Sequence, residues 1–219
     1  MNRILRFGAL AAVAALITVT GLVGSTSADA AKADGKLDRL AFHDTMRRLW
    51  EDHITWTRLY IVSAATTPDA LPDLQATAER LLTNQDDLGD AFRPFYGDAV
   101  GDAVTGLLRE HILIAAELID AAKAGDADAV AAASDAWYAN ADTIAGALSG
   151  LDPEHWPLAH MQAMMRAHLD RTLEEAVARL EGRYADDIAA YEVVHADILA
   201  MADMLSEGIV AMFPNRFRG

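Results

Sequence analysis

Four of the seven histidines in this chain fall on or beside the apolar stripe of a helix, each on a different one. His53 continues Met46, Trp50, Thr57 and Tyr60 at three- and four-residue steps, and His111 continues Val104, Leu107, Ile114 and Leu118. His168 continues Met161, Met165 and Thr172; His195 continues Ile188, Tyr191 and Ile198. An imidazole at a core position must find a hydrogen-bond partner, lose its charge, or bind something. A single one reads as a core residue bonded to a carbonyl or hydroxyl. Several on separate helices read as a ligand set, because inward-facing side chains from different helices are how bundles build metal and cofactor sites.

Carboxylates stand close by in sequence. Glu192 precedes His195 by three residues, the Glu-x-x-His spacing that puts both side chains on one helix face. Only one such pair occurs, so a full di-metal carboxylate site is not expected. Glu175 follows His168 by seven residues on the same face and could ligate an ion or orient an imidazole. The other reading of both glutamates is a solvated flank. The run HMQAMMRAH, His160 to His168, sets His160, Met164 and His168 four residues apart, with Met161 and Met165 in the next row. Thioether with imidazole suits copper, although methionine on an apolar stripe also serves as core filler. The favoured ion is iron, zinc or manganese held by histidine and carboxylate, with copper possible. Trp50 and Trp56 flank His53, and such rings could wall a haem between two histidines, but no CxxCH attachment sequence supports haem.

Other chemistry lacks its residues. There is no phosphate-binding or dinucleotide glycine pattern, no HExxH, no calcium loop and no GxSxG, and the chain has no cysteine. Asp126 and Asp128 read as helix N-terminal caps.

The histidines need helices, and the periodicity is helical nearly throughout. Breakers at Pro68 and Pro72, Pro94 and Gly97, Gly125, Gly150 and Pro153, Gly182, and Pro214 divide the chain into six helices, roughly 37–66, 72–91, 98–124, 126–149, 154–181 and 184–213. Short connections between long helices force antiparallel neighbours. The expected fold is all-α, an up-and-down antiparallel bundle of four core helices with two more packed beside them. Depth then becomes calculable. His168 and His195 both lie about 20 Å from the turn at Gly182, and His111 comes within roughly 10 Å of His168 along the axis, at 1.5 Å per residue. The irregular connection around Pro68 and Pro72 leaves the depth of His53 open.

The first thirty residues are expected to be absent from that fold. Arg3 and Arg6, an apolar run from Phe7 to Val23, and Ala28-Asp29-Ala30 follow the order of a secretory signal peptide cleaved before Ala31. Residues 31–36 read as a short tether and 37–219 as a single helical-bundle domain. The alternative is an uncleaved anchor, for which the apolar run is at the short limit; after cleavage no stable membrane span is expected. Losing Arg3, Arg6 and Asp29 leaves 16 Lys and Arg against 32 Asp and Glu, a formal charge of -16. Such a surface repels nucleic acid and attracts cations.

The segments LWEDHITWTR (49–58), FRPFYGD (92–98), REHILIAAELI (109–119), WYANADTIA (137–145) and MADMLSEGI (201–209) together resemble an uncharacterised family of small all-helical bacterial proteins. The likeness spans nearly all of the mature chain. It implies a helical bundle and supplies no established activity, substrate or ligand. The export leader is a departure from relatives that often lack one. Some such proteins carry kinase-like names, which nothing here supports without a phosphate-binding glycine loop. His53, His111 and His168 lie in or near the shared segments; His195 stands where relatives tend to have glutamate.

The expected function is therefore that of an exported bundle binding a transition metal through His53, His111, His168 and His195, with Glu175 and Glu192 as ligands or supports. Whether the ion is stored, sensed or used in redox chemistry does not follow from the sequence. The competing expectation is a non-catalytic interaction or scaffold protein whose histidines are hydrogen-bonded core residues, or a bis-histidine haem binder.

Overall fold

The computed structural model describes residues 36–67 and 69–218. The leader expected over 1–30, most of the tether and the breaker Pro68 lie outside the described residues. Six helices follow in order: α1 (Arg39–Ala65), α2 (Leu74–Tyr96), α3 (Asp98–Ala124), α4 (Ala127–Leu151), α5 (Leu158–Leu180) and α6 (Tyr184–Met212). Each packs on its neighbour in sequence, and α6 returns to pack on α1, so the bundle is all-α and its helices run round in chain order. Across the interior α1 also meets α3 and α5. These three odd-numbered helices run the same way, which is what lets equivalent positions on them share a level.

The turns behave as their residues require. Asp38 and Asp126 cap α1 and α4, accepting hydrogen bonds from the backbone N–H of Ala41 at 2.9 Å and Ala129 at 3.0 Å. Gly125 and Gly182 take positive φ of 70° and 72° between antiparallel helices. Two boundaries differ most from expectation: α5 begins at Leu158 instead of 154, after Pro157, and α2 continues through Pro94 to Tyr96 instead of ending near 91. Proline costs one backbone hydrogen bond there. The extra turn is held by aromatic packing: Phe95 lies on Phe42 at 5.1 Å and on Phe213 at 5.5 Å, and Tyr96 on Phe213 at 5.1 Å between centroids. α2 and α3 approach closely at Gly89, where an added Cβ would come within 2.7 Å of the Gly101 carbonyl oxygen.

A short parallel pairing joins Leu37–Asp38 (β1) to Phe217–Arg218 (β2), after a 3₁₀ turn at Pro214–Arg216. The buried Phe217 ring packs on Phe42 and Phe95 and ties the two ends of the described chain to the bundle. The main core runs through Met46, Leu88, Phe92, Leu169 and Leu205, all of them fully buried. Each such side chain contributes about 1.5–3 kcal/mol. A second, smaller cluster of Ile61, Ala64, Ile119 and Ala176 lies farther along α1, α3 and α5. Among the described residues no helix is long and apolar enough to cross a membrane.

Candidate functional site

Near the boundary between these clusters, α1, α3 and α5 each turn one histidine inward. His53 and His111 are 3 % exposed and His168 is 7 % exposed. The His168 ring lies 6.0 Å from His53 and 6.5 Å from His111, centroid to centroid. Indoles pack against two of them: Trp50 lies edge-on to His53 at 5.7 Å, and Trp137 covers His111 at 5.3 Å. Three of the four histidines singled out by periodicity are thus brought together.

The helices between supply amides that fix the imidazole tautomers. On α2, the Gln85 side-chain nitrogen donates to the Leu81 carbonyl at 2.8 Å and to Asn84 Oδ1 at 3.1 Å. Its oxygen therefore faces His53 Nδ1, 3.2 Å away. An acceptor opposite Nδ1 requires the ring proton there, so the lone pair resides on Nε2. On α4, Asn140 Nδ2 donates to the Leu107 carbonyl and to Glu110 Oε2, both at 3.3 Å, which turns Oδ1 to His111 Nδ1 at 3.0 Å. The same argument leaves the His111 lone pair on Nε2.

His168 has no such amide. Thr172 donates to its backbone carbonyl at 2.9 Å, but ring Nδ1 is buried without a hydrogen-bond partner. The indole nitrogens of Trp50 and Trp137 are likewise buried and unpartnered. Burial pushes His53 down to about 3, helped by repulsion from His168 and His111 and opposed by the Gln85 bond. His111 falls to about 3 through burial and His168, and His168 to about 4 through burial. All three are neutral at pH 7, the state in which imidazole binds metals.

Imidazoles sharing one ion at 2.0–2.1 Å place their centroids about 5–5.5 Å apart. His53 and His168 at 6.0 Å and His111 and His168 at 6.5 Å both lie beyond that range. Among the described residues no group of three or more His, Asp or Glu side chains is placed to hold a metal ion as it stands. Ligation would need all three rings to turn and draw together.

The remaining candidates lie elsewhere. His195 is one-third exposed on α6, with Nε2 2.9 Å from Glu51 Oε1. Glu192 is exposed. Glu175 is buried as expected for its stripe, but its Oε1 accepts from the Arg58 guanidinium at 2.7 Å. Arg58 also binds the buried Asp187 at 2.6 Å, and its guanidinium lies 4.8 Å from the centre of the Tyr191 ring. Burial raises Glu175 to about 7 despite Arg58, with Asp187 adding to the rise. Met161 and Met165 are main-core residues, and His160 is exposed.

Asn84, Gln85 and Asn140 were not among the residues the sequence singled out. The signal was present: Gln85 falls between Leu81 and Leu88, and Asn140 between Trp137 and Ile144, each an amide on an apolar stripe. A polar group there raises the same question as a histidine.

Comparison of the chain with protein-family models, with curated proteins and with solved structures finds no match.

Proposed function

We propose that this protein binds a transition-metal ion through His53, His111 and His168. The observation that carries the reading is the set of neutral, buried imidazoles with fixed tautomers: Gln85 and Asn140 hold Nδ1–H of two rings, which leaves both Nε2 atoms unprotonated and able to ligate. Metal-binding histidines depend on such outer hydrogen bonds for orientation and basicity. The partnerless Nδ1 of His168 supplies a third uncommitted nitrogen. A donor set of imidazoles without carboxylate favours zinc, copper or iron over manganese. Glu175 and Glu192 drop out of the ligand set, the first engaged by Arg58 and the second exposed. Export, read from residues 1–30, would place the ion's supply outside the cytoplasm.

Thermal unfolding of metal-free protein with Zn(II), Cu(II), Fe(II) and Mn(II) tests this. A ligand of the native state raises Tm by mass action, by about 2.7 kcal/mol of stability at a hundredfold excess over Kd. The expected result is a rise with at least one of the first three ions that is lost in His111→Ala and His168→Ala and kept in His195→Ala. A rise that survives in His111→Ala and His168→Ala, or no rise with any ion, overturns the proposal.

A further inference from the structure

One helical turn beyond the imidazole layer, α1, α3 and α5, with Leu81 of α2 and Val130 and Trp137 of α4, line a cavity of about 100 Å³ that is partly open to the surface. Its upper wall holds Thr57, Ala115 and Thr172, four residues after His53, His111 and His168 respectively, together with the Trp137 ring that covers His111. Its far wall holds Ile61, Ile119 and Ala176, the whole of the smaller core cluster except Ala64. The cavity therefore occupies the seam between the two clusters, where a packed bundle would be continuous.

The lining offers water little. Thr57 and Thr172 donate their hydroxyls to the carbonyls of His53 and His168, at 2.8 and 2.9 Å. Tyr60 and Trp137 contribute the other polar atoms, and the remaining wall is aliphatic. A water needs two to four polar partners, and apolar cavities of ~150 Å³ stay dry while accepting xenon or benzene. This one is about two-thirds that size and partly open, with a wall almost as poor in polar atoms. Val177 and Ala122, both exposed, mark where it approaches the surface.

We infer that the cavity between α1, α3 and α5 is a binding site for a small apolar molecule of a few heavy atoms, on the scale of a diatomic gas or xenon. The site stands on its own lining and does not require the ion. With an ion on the three histidines, such a molecule would sit one turn from the metal, and that addition alone rests on the metal reading.

Xenon is the probe. Metal-free protein carrying ¹³C-labelled isoleucine methyls is equilibrated with increasing xenon pressure. Saturating shifts are expected at Ile61, Ile112 and Ile119, all lining the cavity. Ala176→Leu fills the space and should abolish those shifts; Ala115→Leu does the same from the opposite wall, in case the first variant folds poorly. Shifts of equal size in the wild type and the filled variants, or saturating shifts confined to isoleucines outside the cavity, overturn the inference, as does the absence of any saturating shift. Because no metal is added, failure here leaves the histidine proposal standing, and failure of the metal titration leaves this one.

Discussion

His168 faces His53 across the interior at 6.0 Å between ring centroids, yet its Nδ1 has no hydrogen-bond partner while His53 Nδ1 is held by Gln85. Two imidazoles at one level of the bundle are therefore in different states: one is oriented and satisfied on one side, the other is uncommitted. A buried polar nitrogen left unpaired costs about 1–3 kcal/mol. A molecule that keeps it has not optimised this layer for stability alone.

That cost gives the first prediction. His168→Leu removes the unpaired nitrogen and keeps an apolar side chain, so the metal-free protein should lose little stability or gain up to about 1–2 kcal/mol. Urea midpoints with an unchanged m-value would show it. A loss well beyond ~2 kcal/mol would mean the imidazole is structural.

Gln85→Leu and Asn140→Leu should behave oppositely. Each strands the Nδ1–H of its histidine in the interior and is expected to destabilise the metal-free protein by about 1–3 kcal/mol. Loss of the orienting bond should also weaken metal binding by roughly 10–100-fold, a range seen for outer partners of metal ligands. Competition titration against a chelator of known affinity measures the second effect separately from the first.

Acid should destabilise the metal-free protein through the same three rings. Their folded values of about 3, 3 and 4 lie below the 6.5 of the free side chain. For each group the stabilising difference is complete above 6.5 and is lost as pH falls toward the folded value, because the unfolded chain takes up the proton first. Glu175 runs the other way. Its folded value of about 7 lies above 4.5, so between those limits the folded state holds the extra proton and stability falls as pH rises. The combined contribution of these four groups should correspond to about two protons taken up on unfolding near pH 5, falling to about one near pH 6.5, or roughly 1–3 kcal/mol per pH unit. In His168→Leu it should drop by about one proton, read from urea midpoints across that window.

The Arg58 network predicts a large local effect. Arg58→Leu leaves Glu175 and Asp187, with side chains 2 % and 1 % exposed, without their shared cation. Among the described residues Asp187 then retains only the Arg179 cation, at 3.5 Å. Removing one partner of a buried ion pair costs about 3–5 kcal/mol. The deficit should shrink as pH falls and the carboxyls protonate, which a pair of denaturation curves at neutral and mildly acidic pH would reveal.

Helices, turns and the oddity of the histidines were written in the sequence. Spacing of three and four residues identifies a stripe on each helix, and the glycines at 125 and 182 mark turns whose backbone L side chains avoid. Periodicity fixes the angle of a side chain about its own axis when the helix has one apolar face. On α3 and α5 it placed His111 and His168 correctly. On α6 it misplaced His195, because that helix is apolar on more than one side: Ile188 is 54 % exposed, whereas the buried row runs through Asp187, Ala190, Val194, Ile198 and Met201. Only packing against α1 and α5 decides which row faces in.

Partner choice was likewise beyond the sequence. Glu175 lies on the buried face its spacing from His168 implies, and what it meets there is Arg58, from a helix 117 residues away in the chain. Gln85 and Asn140 reach their imidazoles from α2 and α4. A stripe says that a polar side chain enters the core. The relative rotation and axial offset of neighbouring helices determine which atom receives it, and those are set by the summed packing of all six, not by any one segment.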